Sequence, residues 1–216
     1  MGNTVWESPI IRVTTGLLNT VNDTIIGGGS SGASGSSKFS GQLGKHLFVG
    51  PDQIGQMYNS SVGTLYGGRY RYVRFRLTDD ASPVHAPGKI VFWDTTLTNW
   101  QTLYQVTYDE NLSSVANAVM IAGVTINVST NGRYGFIQDL GMVPVRFRSV
   151  LTAAGAIGSQ VYAAGAGDTG LDQGTADVLT TDSTSVANAR YLGQAVTAPA
   201  ASALATVLLD FRNSLP

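Results

Sequence analysis

The chain is predicted to be all-β: a sandwich or barrel body carrying an extended N-terminal arm and ending in a small C-terminal β-unit. Three observations predict it. From Phe39 onward, runs of β-branched and aromatic residues are punctuated at short intervals by Gly, Asn, Asp and Pro, as in folds built from short strands. Only one stretch departs from that pattern toward helical spacing. Glycine is abundant, at 26 of 216 residues, while charged residues make up only 12%, against ~25% in ordinary soluble domains.

In chain order, residues 1–26 contain a β-leaning TVWESPIIRVTT and then LLNTVNDTII. This piece is too short for a core of its own and is expected to order only against a partner, either the body of its own chain or a neighbouring subunit. A plain disordered tail is the alternative, against which Trp6, Ile10, Ile11 and Val13 argue. GGGSSGASGSS at 27–37 is a flexible linker, because Gly and Ser bury too little surface to offset their ordering entropy. The expected organisation is therefore an arm and linker over 1–38, a main β domain over 39–148, and a C-terminal β-unit over 149–216.

Strands are predicted at 45–49, 69–77, 89–93, 103–108, 120–128, 134–138 and 143–150, then at 159–163, 176–181, 189–196 and 205–211. Between them, Leu112, Val115, Ala116, Val119 and Met120 fit helical spacing with Asn111 as a cap, which predicts a short helix.

Composition excludes several functions. With net charge −1 the whole molecule has no electrostatic attraction for nucleic acid or an anionic membrane. The absence of cysteine excludes disulfides, a thiol nucleophile and thiolate-bound zinc. No apolar run approaches the ~18 residues of a membrane-spanning helix, and MGNTVWESPIIRV lacks a basic region followed by an apolar run, so no signal peptide is expected. A surface so poorly charged suits contact with other protein. Charge is also uneven: eleven basic and nine acidic residues lie up to Arg148, two basic and five acidic beyond it.

VRFR occurs twice, at 73–76 and 145–148, and six of the ten arginines lie in or beside the copies: Arg69, Arg71, Arg74, Arg76, Arg146 and Arg148. Strand alternation puts Val and Phe of each copy on one face and the two Arg on the other. The rings opposite the arginines point to a core role and away from base stacking on nucleic acid. The Arg face is then solvated, paired within the chain, or paired with carboxylates of another protein, which a planar guanidinium grips bidentately. Unbroken alternation would also place Arg69 and Arg71 on the face of Val73 and Phe75. A bulge or bend near Tyr72-Val73 would repair this, placing Tyr70 and Tyr72 inward with Val73 following.

Candidate chemistry fails at each position where it is sought. GAGDTG at 165–170 has the letters of a dinucleotide fingerprint, but no helix pattern follows it, so no cofactor is expected. His46 and His85 lack partners at metal or catalytic spacing, and Asp168, Asp172, Asp177 and Asp182 are too widely spaced for a calcium loop. Asp79-Asp80 and Asp109-Glu110 read as turn carboxylates. Trp93, Trp100 and Asp94 are the nearest approach to a carbohydrate-active cleft. No enzyme activity, metal or cofactor is expected.

GVTINVSTNGRYGFIQDLG at 123–141 resembles a segment of the capsid decoration, or cement, proteins of tailed bacteriophages. Gly41-Gln42, KIVFWD, VTYDE, AIGSQVYAAGAG and GQAV…ATVLLDF fall in the same order, so the likeness runs over about residues 40–211. Arg133 stands where the family pattern has Asn. The resemblance implies a non-enzymatic virion protein, made in the host cytoplasm, that binds the major capsid protein on the outer surface of an assembled head, usually as a homotrimer. The residues then expected at capsid or intersubunit contacts are Trp6, Ile10, Ile11, Arg69, Arg71, Arg74, Arg76, Arg133, Arg146 and Arg148. A tail or baseplate module, such as a receptor-binding protein, and a carbohydrate-active β protein are the other readings.

Overall fold

The computed structural model describes residues 43–44, 46–51, 66–76, 86–96, 104–109, 114–115, 118–126, 134–164, 172–178 and 191–210. Within them the β-branched and aromatic runs become strands. These are β1 (His46–Val49), β2 (Gly68–Phe75), β3 (Ile90–Trp93), β4 (Gln105–Thr107), β5 (Ser114–Val115), β6 (Ala118–Val119), β7 (Ile121–Thr125), β8 (Tyr134–Arg146), β9 (Gln160–Ala163), β10 (Ala176–Val178), β11 (Tyr191–Ala195) and β12 (Leu204–Leu209). The expected all-β class holds.

Ten strands form one sheet in the order β1-β2-β4-β3-β7-β8-β12-β11-β9-β10, and a further β2–β8 pairing closes β2, β4, β3, β7 and β8 into a five-stranded barrel. Its pairs are antiparallel except β2–β4, which is parallel. The remaining strands curl back on β8. Phe147, just past β8, bridges Ala176 of β10, and Arg148 N–H donates to the Ala176 carbonyl at 3.0 Å. The sheet thus runs without interruption past position 149, and the last four strands are hydrogen-bonded into it through β12 and β8.

Strand β8 joins two cores. Ile137 packs inside the barrel with Val73, Phe75, Val91, Trp93, Val106, Tyr108 and Ala122. Val143, Val145 and Phe147, of the same odd parity, pack in a different cluster with Val161, Val178, Leu192, Val207, Leu209 and the barrel's outward-facing Ile90 and Phe92. An extra residue reconciles these assignments. Across β2, Arg69 pairs with Leu140 but Tyr70 pairs with Gln138, leaving Asp139 as a bulge. One added residue reverses which parity faces which side, so the odd residues beyond it turn from the barrel interior to the second core. Gly141 follows with φ of 98°, and a Cβ there would lie 2.8 Å from the Gly67 carbonyl oxygen.

Three expectations are corrected. The strands expected at 134–138 and 143–150 are one strand, because Gly141 turns the chain without ending it and Pro144 costs no ladder bond. Phe147 N–H faces β12 through the Ala203 carbonyl and Arg146 N–H faces Gly88, so the nitrogen of Pro144, two residues from Arg146, also lies on the Gly88 side. The helix expected over 112–120 is not seen among its described residues: Ser114–Val115 and Ala118–Val119 form β5 and β6, paired antiparallel through Ser114–Val119 and Val115–Ala118, as β-branched valines favour. Nor is there a register shift between Tyr72 and Val73; the irregularity sits opposite Arg69 and Tyr70, on β8. The linker, the arm and the 131–133 turn lie outside the described residues, as do the family-like residues 127–133.

Phe75 and Phe147, at 4% and 1% exposure, seat one VRFR copy in each core. Replacing either by Ala is expected to cost roughly 3–5 kcal/mol in chemical denaturation. A loss under about 1 kcal/mol at Phe147 would show that the second core closes without it.

Candidate functional site

As alternation predicts, Val73, Phe75, Val145 and Phe147 are buried, while Arg74, Arg76, Arg146 and Arg148 are only partly so. The arginines do not act as one surface. Arg76 Nη1 donates to Asp94 Oδ2 at 2.9 Å and Arg148 Nη1 to Asp177 Oδ2 at 3.2 Å. Arg74 and Arg146 have no carboxylate partner among the described residues, and each Nε is buried without a hydrogen bond. Trp6, Ile10, Ile11 and Arg133 lie outside the described residues.

Arg69 and Arg71 share the barrel-interior face of Val73 and Phe75, because alternation along β2 is unbroken. Asp139, the bulged residue, makes this tolerable. It is 3% exposed, accepts a 2.8 Å hydrogen bond from Arg69 Nε, and lies 3.2 Å from Arg71 Nε and 3.3 Å from His46 Nε2. The Arg71 contact is an ion pair whose N–H is not aimed for a hydrogen bond. The Arg71 guanidinium lies 5.3 Å from the Trp93 ring centroid, and Trp93 in turn meets Tyr104 edge-on at 6.1 Å. Burial, then the charge of Arg71, lowers the pKa of His46, with Asp139 opposing.

Asp94 is fully buried at the end of β3. Besides Arg76, it accepts hydrogen bonds from Gln105 Nε2 at 2.8 Å and from the Thr96 backbone at 3.1 Å, and the Thr96 hydroxyl donates to it as well. Burial pushes its pKa up, but these donors outweigh burial and leave it below the ordinary value. Asp94 is thus occupied as a clamp of β2, β3 and β4, and Trp93 packs inside the barrel, while Trp100 lies outside the described residues. Asp177 likewise holds Arg148, Thr152 and its own strand, and Asp172 holds Ser149.

What the structure assembles, and alternation of single strands did not reveal, is an apolar sheet face. Phe48 pairs with Arg69 and Arg69 with Leu140; Met142 pairs with Leu208 and Leu208 with Gln194; Pro144 pairs with Thr206 and Arg146 with Leu204. Cross-strand partners share a face, so these residues form one surface across β1, β2, β8, β12 and β11. Phe48 is 68% exposed, Leu208 47% and Leu140 45%, and Leu204 is exposed as well. Val196, whose N–H donates to the Thr206 carbonyl, adjoins them and is also exposed. These are five of the seven exposed large apolar side chains among the described residues. Tyr66 leans over the middle, its hydroxyl 3.5 Å from that of Thr206. Asp210 and the part-exposed Arg69 and Arg146 edge the face. Exposed apolar surface with a polar rim is characteristic of contact with protein, membrane or ligand. Its signal in sequence is faint: Leu204 and Leu208 alternate with buried Ala205, Val207 and Leu209, giving a strand apolar on both faces.

No protein-family model and no curated protein matches the chain. A similar solved structure is the head fiber gp8.5 N base in bacteriophage phi29, at 14% identity and a TM-score of 0.40, covering 68% of this chain and 97% of that one.

Asp139→Asn should destabilise the fold by about 3–5 kcal/mol, at the lower end because Arg69 and His46 are part exposed; urea denaturation measures it. For Asp94 the sign follows from its lowered pKa. Its contribution is fully present above the unfolded-state value of 3.8 and is lost as pH falls through the lower folded-state value. The stability gap between wild type and Asp94→Asn should therefore be widest at neutral pH and shrink below that window. A gap independent of pH would contradict an ionised Asp94.

Proposed function

We propose that the chain is a non-enzymatic structural protein of a tailed-phage virion, attached to the outer surface of the assembled head as a decoration, or cement, protein. The observation that carries this reading is the apolar sheet face of Phe48, Leu140, Met142, Leu204 and Leu208 on a body with few charges. Such a face is a solubility liability unless other protein covers it. The resemblance of 123–141 to decoration proteins supplies the kind of partner, the major capsid protein, and the homotrimeric state. The arm residues Trp6, Ile10 and Ile11 then add contacts beyond the body. The protein would be made in the host cytoplasm and come to rest on the virion exterior.

Purified protein mixed with empty expanded heads, with purified tails and with a glycan panel tests this. Saturable binding to heads alone is expected. The double substitution Leu140→Asp and Leu208→Asp should weaken head binding at least about tenfold, ~1.4 kcal/mol, with little change in thermal unfolding because both side chains are already exposed. Saturable binding to tails or glycans in place of heads would refute the assignment.

A further inference from the structure

We infer that the barrel mouth formed by His46, Phe48, Arg69, Arg71 and Leu140 receives a carboxylate side chain of the protein to which the chain attaches; only the identity of that protein rests on the proposed function. The mouth is short of negative charge. Arg69 and Arg71 bring two positive charges against the single Asp139, and no second carboxylate pairs with either arginine among the described residues. Arg71 is 7% exposed and its Nε has no hydrogen-bond partner. A desolvated cation incompletely matched by anions is unfavourable, and burial accordingly weakens the hold of Arg71 on its proton.

Access and chemistry select the ligand. Arg69 keeps a quarter of its side chain exposed while its Nε holds Asp139, and His46 keeps about a third, so the mouth opens outward. Phe48 and Leu140 flank Arg69 on either side as its cross-strand neighbours, and both are exposed. A guanidinium between two apolar side chains fits an acidic residue set among apolar ones, where desolvation strengthens the charge-assisted bond. A phosphate-bearing polymer fits less well: the lips are apolar and the whole-chain charge of −1 offers it no attraction.

Arg69→Gln is the discriminating variant, because it leaves Arg71 and Asp139 as a balanced pair and should move the thermal midpoint by no more than about 4 °C. Against empty expanded heads it should bind at least about tenfold more weakly than wild type and with a shallower salt dependence; Ile157→Ser, an exposed apolar change on a loop outside the face, should bind like wild type. Independently of heads, disodium succinate should raise the thermal midpoint of wild type above that in sodium chloride at equal ionic strength, and should not do so for Arg69→Gln. Head binding by Arg69→Gln equal to wild type, or an equal succinate effect on both proteins, overturns the inference. Inorganic phosphate stabilising wild type as much as succinate overturns the carboxylate assignment. Wild type that ignores heads but responds to succinate through Arg69 refutes the head assignment and supports the mouth.

Discussion

Strand β8 must face two cores, and much of the rest follows from how it does so. Its first half lines the barrel and its second half lines the core shared with the C-terminal strands. A regular strand of constant parity cannot do both, since its odd residues would stay on one side throughout. The extra residue at Asp139 reverses the alternation, and Gly141, with φ of 98°, lets the chain turn where β2 gives way to β12 as its partner. A side chain with a Cβ would crowd the Gly67 carbonyl at that crossing.

The bulge also settles the electrostatics of β2. Two arginines on a barrel-interior face would be untenable without a counter-ion, and the bulged residue is the aspartate that supplies one. The same device recurs at Arg76 with Asp94 and at Arg148 with Asp177: a carboxylate of low exposure, held by several donors, anchors an arginine at a strand end. Among the described residues, Arg69, Arg71, Arg76 and Arg148 with Asp94, Asp139 and Asp177 are thus used to tie strands together. Little is left to solvate the face that β8, β12 and β11 turn away from the second core.

That face and the barrel mouth adjoin, because Phe48, Arg69 and Leu140 are neighbours in one cross-strand row. An apolar surface supplies area without direction, whereas an arginine at its edge supplies register, since a misplaced partner would leave a desolvated guanidinium unmatched. Under the proposed function, such a combination suits seating in one orientation on the repeated surface of a head.

The all-β class, the positions of nearly every described strand and the burial of both VRFR valine–phenylalanine pairs are legible in the residues alone. Each of these depends on local alternation and turn chemistry, which neighbouring residues specify. The partners of the arginines were not legible, because Asp139 lies 70 residues from Arg69 and becomes its counter-ion only through the β2–β8 pairing. The union of 134–138 with 143–150 into one strand was hidden for a related reason: Gly141 and Pro144 are stop signals locally, and the flanking strands make them harmless. The helix expected over 112–120 yielded to β5–β6 pairing, since a stretch so short takes the conformation its surroundings stabilise. Only the tertiary structure could show the apolar face, because it is assembled from five strands whose order in space is not their order in the chain.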